Sequence, residues 1–352
     1  MATHRTHDTA RRRFLQGAGA LTATLALAPP RPARAQAASK MVLGTWGGDY
    51  SKLLSKNVEP HLAARKLQVE HAIGGDPERR AKLLAEARLP RGTSDLQALS
   101  AANMFEMNEA GVLETLDYGK IENARNLLPA MKYAYGVGHI YSGKVILVNR
   151  KLVPQAPAGF ADTLDPKHGD KLGIIDIQYQ FTMMAAALAS GGSMSNFEPG
   201  KERLLAVKKA GARIYPTNEA LAQALKNEEI AICIMWKARA VQWQNAGISV
   251  ETVAPKEGVP LYISGFAIPK NAQNKDGAYA YLNAMLDPAA QEGFAQDMGY
   301  NPTVKNVKVP EAIQKRIGFT AEEQQRLRDL DYGYIAKNDA ALKEWWDKVF
   351  KG

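Results

Sequence analysis

The chain has 352 residues, of which 46% are hydrophobic and 23% are charged, with a formal net charge of +9. This length can bury a sizeable core and suggests two domains, and the composition is typical of a globular protein. No run of the sequence approaches the roughly 18 consecutive apolar residues that would span a bilayer.

The first 35 residues have the pattern of an export signal. Residues 11–15, RRRFL, are followed by a weakly apolar run at 17–28 and by a small-x-small cleavage site at 33–35. Paired arginines, an apolar region diluted by Gly, Ala and Thr, and Arg34 beside the cut resemble a twin-arginine (Tat) signal. We therefore predict export to the periplasm by the Tat machinery, with cleavage near Ala35. The alternative is a basic tail before a short helix.

Most of the positive charge lies in this segment. Residues 1–35 contain six arginines and one acid, Asp8, so their removal lowers the formal charge from +9 to +4. No basic cluster interleaved with aromatic residues remains, which removes the main argument for nucleic-acid binding. Cys233 is the only cysteine, so an intramolecular disulfide is excluded. Its apolar surroundings at 230–235 predict a small buried side chain rather than a nucleophile.

Short apolar runs alternate with helical patterns from residue 41 onward. The first set predicts strands at 40–46, 67–72 and 95–99, a helix that begins near Ser51, and helices at 77–87 and 101–110. Strands alternating with helices indicate an α/β fold with a mainly parallel sheet.

The pattern changes after Leu127, where two strand-like runs, 137–141 and 144–149, lie next to each other. A second α/β set follows, with strands at 171–176, 213–215, 230–235, 250–254 and 262–268, and helices at 180–189, 218–227, 237–245, 275–286 and 288–298. The last segment, 311–350, is helical and polar, with Trp345 and Trp346 as an apolar anchor. Two α/β sets joined by extended segments predict two hinged lobes that close around a ligand.

Five short motifs in this chain resemble family 1 extracellular solute-binding proteins. They are TWGGDY at 45–50, NEEIAICIMW at 227–236, VAPKEG at 253–258, GFAIPKNA at 265–272 and MGYNP at 298–302. Their order and spacing are most similar to the spermidine/putrescine-binding branch, over about residues 41–310. Each motif alone is weak, and the five in the correct order carry the resemblance.

The resemblance implies the two-lobed type II fold of periplasmic binding proteins. Lobe 1 would comprise 36–140 with 262–305, and lobe 2 would comprise 141–261 with 306–352. It also implies a monomeric, non-catalytic receptor without a cofactor or metal. This receptor would capture a small solute in the interlobe cleft and deliver it to an ABC permease and ATPase in the inner membrane.

The same motifs supply a candidate binding site. A Gly-Gly turn before a helix presents free backbone N–H groups, and aromatic residues offer apolar walls with polar edges. The resemblance places Trp236, Tyr262 and Tyr300 among the cleft aromatics. A plain turn and core packing are the alternatives for these residues. The predicted ligand-binding residues are Trp46, Gly48, Tyr50, Tyr179, Gln180, Trp236, Lys237, Arg239, Tyr262, Ser264 and Tyr300.

The candidate site departs from the polyamine-binding pattern in its charges. In that branch a carboxylate follows the aromatic at the Tyr262 position by two residues, where this chain has Ser264. Others precede the helix at 180–189, where the stretch 178–182 contains none. Buried ammonium groups need such partners, so their loss disfavours a polyamine.

Two cations, Lys237 and Arg239, instead follow Trp236. Guanidinium groups bind carboxylates and phosphates well. We therefore predict a small anionic or zwitterionic ligand, and an aromatic compound would suit the site. Two alternatives stay open. The cations can face solvent on an amphipathic helix, and Asp49 or Asp176 can serve a polyamine or another organic cation, such as a thiamine-like compound.

Other functional classes fit the sequence less well. The four histidines after the signal are scattered, and no HExxH, CxxC, Walker, GxGxxG or GxSxG motif is present, which disfavours an exported enzyme. A ferric-ion binder would use adjacent tyrosines, whereas Tyr179, Tyr215 and Tyr300 are isolated. A chemosensory partner protein would share the fold, and a neighbouring permease or ATPase gene would distinguish transport from that role.

Overall fold

A computed structural model describes residues 39–352 of the chain. The predicted export signal and its cleavage site lie outside the described residues. Twelve strands are joined by their pairings into one sheet system. The strands are β1 (Ser39–Thr45), β2 (Leu67–Ile73), β3 (Leu96–Ser100), β4 (Lys132–Tyr133), β5 (Gly136–Val148), β6 (Leu172–Ile175), β7 (Arg213–Tyr215), β8 (Ile232–Trp236), β9 (Glu251–Val253), β10 (Val259–Ala267), β11 (Asn301–Pro302) and β12 (Leu327–Arg328).

Helices alternate with these strands along the described part of the chain. They are α1 (Asp49–Asn57), α2 (Asp76–Glu86), α3 (Ala101–Glu109), α4 (Phe160–Thr163), α5 (Tyr179–Leu188), α6 (Gly200–Lys209), α7 (Asn218–Lys226), α8 (Lys237–Asn245), α9 (Lys275–Met285), α10 (Pro288–Met298), α11 (Glu311–Ile317), α12 (Ala321–Gln325) and α13 (Tyr332–Trp345). None of the helices within 39–352 combines the length and the apolar character needed to cross a membrane.

Most predicted elements have a counterpart. Helices α4 and α6 and the two-residue strands β4 and β11 have no predicted counterpart, and the last segment also differs. The last segment, predicted as helical throughout, is divided into α11, α12, the short strand β12 and α13. The physical reason lies at 318–320, where Gly318 ends α11 in an extended conformation and Thr320 begins α12 as its N-cap, accepting a hydrogen bond from the backbone N–H of Glu323.

The two adjacent strands predicted after Leu127 form one continuous strand, β5. Its first part pairs antiparallel with β10, and its last part, from Lys144 onward, pairs antiparallel with β8. Gly143 lies at this change of partner, where a Cβ atom would lie 2.5 Å from Val259 Cγ1. A larger residue would require the side chains of Val259 and Phe319 to shift, because Phe319 Cζ would also lie only 2.7 Å from the Cβ atom.

Parallel strands lie on both sides of β5. The strand order is β2-β1-β3-β10-β5-β8-β6-β7, in which β1 pairs parallel with β2 and β3, and β6 pairs parallel with β7 and β8. β10 is antiparallel to both β3 and β5. The predicted parallel pairing is therefore present within each α/β set, and antiparallel pairs connect the two sets.

Separate hydrophobic cores accompany the two sets. Met41 and Leu43 of β1 belong to the first core, whereas Ile174 of β6 and Ile232 of β8 belong to the second. Cys233 is fully buried in a further cluster beside β8. Burial raises the pKa of the Cys233 thiol to about 12, so the thiol stays protonated at neutral pH. The predicted role of Cys233 as a small buried side chain is confirmed.

The end of the chain is fastened to the second core by Trp346. Its side chain is fully buried, and its ring centroid lies 4.4 Å from that of Phe350. Its indole N–H donates a hydrogen bond of 2.6 Å to Asp176 Oδ1, directly after β6. Trp345 is only half-buried. Burial of a large aromatic side chain with its polar edge satisfied is a strong local source of stability.

We expect Trp346→Ala to lower the free energy of unfolding by about 3–5 kcal/mol, because it leaves a cavity and an unpaired Asp176 oxygen. The matched control is Trp345→Ala, for which we expect a loss of less than about 2 kcal/mol. Urea unfolding followed by fluorescence measures both variants. Equal losses for the two variants would contradict the assignment of Trp346 as the anchor.

Candidate functional site

A cavity of about 450 Å³ lies where several elements of both α/β sets meet. It is bounded by the turn between β1 and α1, by β5 and β10, by the start of α7, by α8, and by the end of α10. The lining residues are Trp46, Gly47, Gly48, Asp49, Tyr50, Ile140, Glu219, Arg239, Gln242, Tyr262, Ser264, Met298 and Tyr300. Cavities of this size accommodate small organic molecules.

The turn between β1 and α1 presents backbone groups to this cavity. Gly48 is the N-cap of α1 and has a φ of 66°, a left-handed conformation that favours glycine. No side chain caps the helix, so the N–H groups of its first turn have no intrahelical or capping partner within the described chain. Together with the positive end of the helix dipole, these N–H groups favour an anionic group of a ligand.

Aromatic rings form much of the cavity wall. The ring centroids of Trp46 and Tyr50 are 5.2 Å apart in an edge-to-face arrangement, and those of Tyr262 and Tyr300 are 6.1 Å apart. Tyr50 Oη is hydrogen-bonded to His139 Nδ1 at 3.0 Å. Burial lowers the pKa of His139 to about 3, so the ring is neutral at neutral pH. This part of the wall is therefore aromatic, polar at its edges and uncharged.

Three charged side chains line the cavity. Arg239 is half-buried, whereas Asp49 and Glu219 are exposed. None of the three belongs to an ion pair within residues 39–352. Arg239 donates one hydrogen bond of 2.9 Å, from Nη1 to Gln242 Oε1, and its buried Nε has no partner in the described chain. The remaining N–H groups at Nη1 and Nη2 can still donate to a ligand carboxylate or phosphate.

The structure brings seven of the eleven predicted residues together around the cavity: Trp46, Gly48, Tyr50, Arg239, Tyr262, Ser264 and Tyr300. The other four lie elsewhere. Tyr179 and Gln180 both donate hydrogen bonds to Asp339 of α13. The Lys237 ammonium donates to the carbonyl oxygen of Gly318 and lies 4.5 Å from the centre of the Phe319 ring. Ligand binding by any of these residues stays a prediction.

Trp236 lies behind the cavity wall. Its ring centroid is 4.8 Å from that of Tyr262, which lines the cavity, and 4.4 Å from that of Phe181. The Lys144 ammonium lies 4.1 Å from the centre of the Trp236 ring. Lys144 is fully buried, and its ammonium donates to the side-chain oxygen of Gln178. A buried lysine is therefore in contact with an aromatic residue that adjoins the cavity.

Sequence reasoning missed several lining residues, of which Glu219 is the most informative. It lies in the first turn of α7, directly after β7, and about 170 residues from Trp46 in the sequence. The available signal was its place after a strand, because ligands of α/β proteins lie beyond the carboxyl ends of parallel strands. The sequence indicates Asp49 only as a partner for a cationic ligand. Gln242 lies outside the five motifs, whereas Met298 begins the motif at 298–302, in which only Tyr300 is predicted to bind a ligand.

The sequence of this chain matches one protein family over most of its length. The family model described as bacterial extracellular solute-binding protein matches residues 60–321, which is more than half of the chain. The chain belongs to this family. Family membership confirms the predicted class, a solute-binding protein rather than an enzyme.

Individual relatives and solved structures are also similar to this chain, at low sequence identity. The spermidine/putrescine-binding periplasmic protein of Salmonella typhimurium is 27% identical over 219 residues, which cover 59% of this chain. The match spans only 63% of that relative's length. A crystal structure of an ABC transporter from Clostridium perfringens superposes with a TM-score of 0.75 at 24% identity, covering 88% of this chain and 99% of the other.

The structure of the Atu4243-GABA receptor superposes with a TM-score of 0.78 at 20% identity, covering 89% of this chain and 98% of the other. These superpositions confirm the predicted fold class. The fold of this solute-binding protein is the α/β, two-lobed type II fold of periplasmic binding proteins.

The buried Lys144 affects stability in a pH-dependent way. Burial lowers the pKa of Lys144 from 10.5 to about 7. Below pH 7 the lysine is protonated in the folded and unfolded states, and the cost of burying its charge is present in full. Between about pH 7 and 10.5 the unfolded state binds more protons than the folded state, so the free energy of unfolding rises with pH.

We expect Lys144→Met to raise the free energy of unfolding at pH 6 by about 1–4 kcal/mol, because an apolar side chain replaces a buried charge. The gain should shrink by more than half at pH 9.5, where the folded wild-type protein already holds a neutral lysine. Urea unfolding at the two pH values measures the difference. Lys132→Met is the control, since it removes an exposed lysine that lies over the Tyr118 ring. A gain of Lys144→Met that is equal or larger at pH 9.5 would contradict the burial argument.

Proposed function

We propose that this solute-binding protein is the periplasmic component of an ABC importer. The observation that carries the proposal is the cavity of about 450 Å³. Aromatic side chains form much of its wall, and it is also lined by a half-buried arginine with an unpartnered Nε. The name of the Salmonella relative, a periplasmic binding protein, and the ABC transporter from Clostridium perfringens support it. The chain would capture one small solute and deliver it to an inner-membrane permease and its ATPase.

The lobes of this receptor would have the boundaries given above, 36–140 with 262–305 and 141–261 with 306–352. The composition of the hydrophobic cores supports this division, because β1 and β3 contribute to one core and β6 and β8 to others. The ligand would lie between the lobes, and hinge motion at β5 and β10 would enclose it. The signal pattern at 1–35 supports Tat export and cleavage near Ala35.

The charges of the cavity support a zwitterionic or anionic solute. Arg239 is half-buried, so its charge is screened by solvent less than those of the exposed Asp49 and Glu219. A ligand carboxylate would bind the Arg239 guanidinium and the free N–H groups at the start of α1. An ammonium group on the same ligand would face Asp49 or Glu219. The aromatic rings would contact its apolar part.

A polyamine is the second candidate solute. Two carboxylates, Asp49 and Glu219, line the cavity, and the Salmonella relative is named a spermidine/putrescine-binding protein. Ammonium groups would then bind these carboxylates and the faces of the aromatic rings. Arg239 disfavours this candidate. The cavity would hold a cationic ligand together with the guanidinium group of Arg239, which forms no ion pair within residues 39–352.

A thermal-shift screen of the purified protein against amines, amino acids, carboxylates and phosphonates tests the function, because a ligand that binds only the folded state raises the melting temperature. We expect at least one amino acid or carboxylate to raise it. Stabilisation by polyamines alone would establish the second candidate instead. No stabilisation by any solute would count against the receptor function.

We further expect Arg239→Gln to weaken binding of a carboxylate-bearing solute about 10- to 100-fold, because one charge-assisted interaction is lost. Isothermal titration calorimetry measures the affinity. The matched control is Arg316→Gln, since Arg316 donates hydrogen bonds to Val241 and Asn245 of the same helix but does not line the cavity. Equal affinities of the two variants would exclude Arg239 as the carboxylate-binding residue.

A further inference from the structure

The strand face that contributes Ile140 to the cavity continues along β5 into fully buried residues. Side chains of alternate residues in a strand face the same side, so Ile140, Ser142 and Lys144 share one face. Ile140 lies opposite Ser264 in the register, and Ser142 lies opposite Tyr262. Ile140, Ser264 and Tyr262 all line the cavity.

Lys144 occupies the next position on this face. It lies directly opposite Trp236 on β8. Directly opposed residues of an antiparallel pair have adjacent side chains on one face of the sheet. The pair formed by Lys144 and Trp236 therefore extends the row that begins at the cavity floor.

The surroundings of the Lys144 ammonium are those of an ammonium-binding subsite. It lies 4.1 Å from the centre of the Trp236 ring and 5.5 Å from that of Phe181, and it donates to the side-chain oxygen of Gln178. Aromatic faces and a carbonyl oxygen are groups that bind organic cations. No carboxylate of the described chain lies within ion-pair distance of Lys144. We name the group formed by Trp236, Phe181 and Gln178 the Trp236 subsite.

The second tryptophan of the site has a similar arrangement. Arg79 Cζ lies 4.7 Å from the centre of the Trp46 ring, and Arg79 is only 5% exposed. Arg79 also forms an ion pair of 2.7 Å with Asp76, so its charge is balanced. Each tryptophan therefore has a ring face covered by a cation of the protein itself. Only Lys144 leaves its positive charge without a carboxylate.

We propose that Lys144 is a specificity-determining residue that fills the Trp236 subsite from within the chain and so excludes solutes with two ammonium groups. An extended dication held with one end at Asp49 or Glu219 would bring its other end towards this subsite, where Lys144 already lies. Like charges at short distance in a buried environment repel strongly. The solute class that fits is a zwitterion with a single ammonium group, bound through its carboxylate. This inference rests on the proposed function, since it concerns the solute of the same cavity.

Three compounds with four carbon atoms test the inference because they differ mainly in charge: 1,4-diaminobutane, 4-aminobutanoate and succinate. We expect the wild-type protein to bind 4-aminobutanoate at least tenfold more tightly than 1,4-diaminobutane. In Lys144→Met the ratio of these two affinities should fall at least tenfold, because the positive charge that repels the second ammonium group of the diamine is removed. Succinate should bind the variant more weakly than the wild type. Calorimetry at pH 6, where Lys144 is protonated, measures all affinities.

Two further variants separate the possible explanations. Lys132→Met removes an exposed lysine that also lies over an aromatic ring, and it should leave the affinity ratio unchanged. Lys144→Gln removes the charge but keeps a polar side chain beside Gln178, and it should change the ratio in the same direction as Lys144→Met. Circular dichroism confirms that each variant is folded.

The outcomes distinguish this inference from the receptor function. A wild-type protein that prefers 1,4-diaminobutane, or an affinity ratio unaffected in both Lys144 variants, overturns the role of Lys144 while leaving the receptor function intact. If none of the three compounds binds the wild type or a Lys144 variant, the assigned solute class is wrong. The receptor function itself fails only if the full thermal-shift screen finds no solute.

Discussion

The site depends on the antiparallel pairing of one long strand, β5, with β10 along its first part and with β8 along its last part. This pairing connects two α/β sets that have their own cores, and it places both sets around one cavity. Because strand side chains alternate between faces, the strand also decides which of its residues form the cavity floor. Gly143, at the change of partner, leaves room for the side chain of Val259, which a Cβ atom there would meet at 2.5 Å. The pairing of β5 therefore determines both how the two sets are connected and where the site lies.

The second constraint is electrostatic. An aromatic cavity attracts cations, but this chain already covers a face of Trp46 with Arg79 and a face of Trp236 with Lys144. Burying an ammonium group without a carboxylate partner lowers the free energy of unfolding. For the same reason burial lowers the pKa of Lys144 to about 7. The proposed role of Lys144 in solute selection would account for a destabilising residue beside the cavity. The same reasoning explains why Arg239, with an unpartnered Nε, is the strongest candidate for contact with a ligand carboxylate.

The relatives define the class of this protein more sharply than its solute. Family membership and the superpositions agree on a solute-binding protein with two lobes. The Salmonella relative is named for spermidine and putrescine, but its match covers 63% of its length at 27% identity. At such identity a fold persists while single charges in the cavity are exchanged, because packing tolerates many substitutions and ligand charge depends on a few side chains. The solute must therefore be argued from Lys144, Arg239 and the exposed carboxylates of this chain.

The sequence by itself determined the alternation of strands and helices, the burial of Cys233 and the family. Hydrophobic periodicity and short motifs are local, so they can be read without knowing the fold. It also pointed to seven residues of the cavity lining: Trp46, Gly48, Tyr50 and Tyr300 lie within the five motifs, and Arg239, Tyr262 and Ser264 lie close to them in the sequence. Only the tertiary structure decided that Arg239 lines the cavity while Lys237 bonds to Gly318, that Glu219 joins the site, and that Lys144 lies on Trp236. These relations arise from strand register and helix placement between segments up to about 170 residues apart, and no local pattern encodes such contacts.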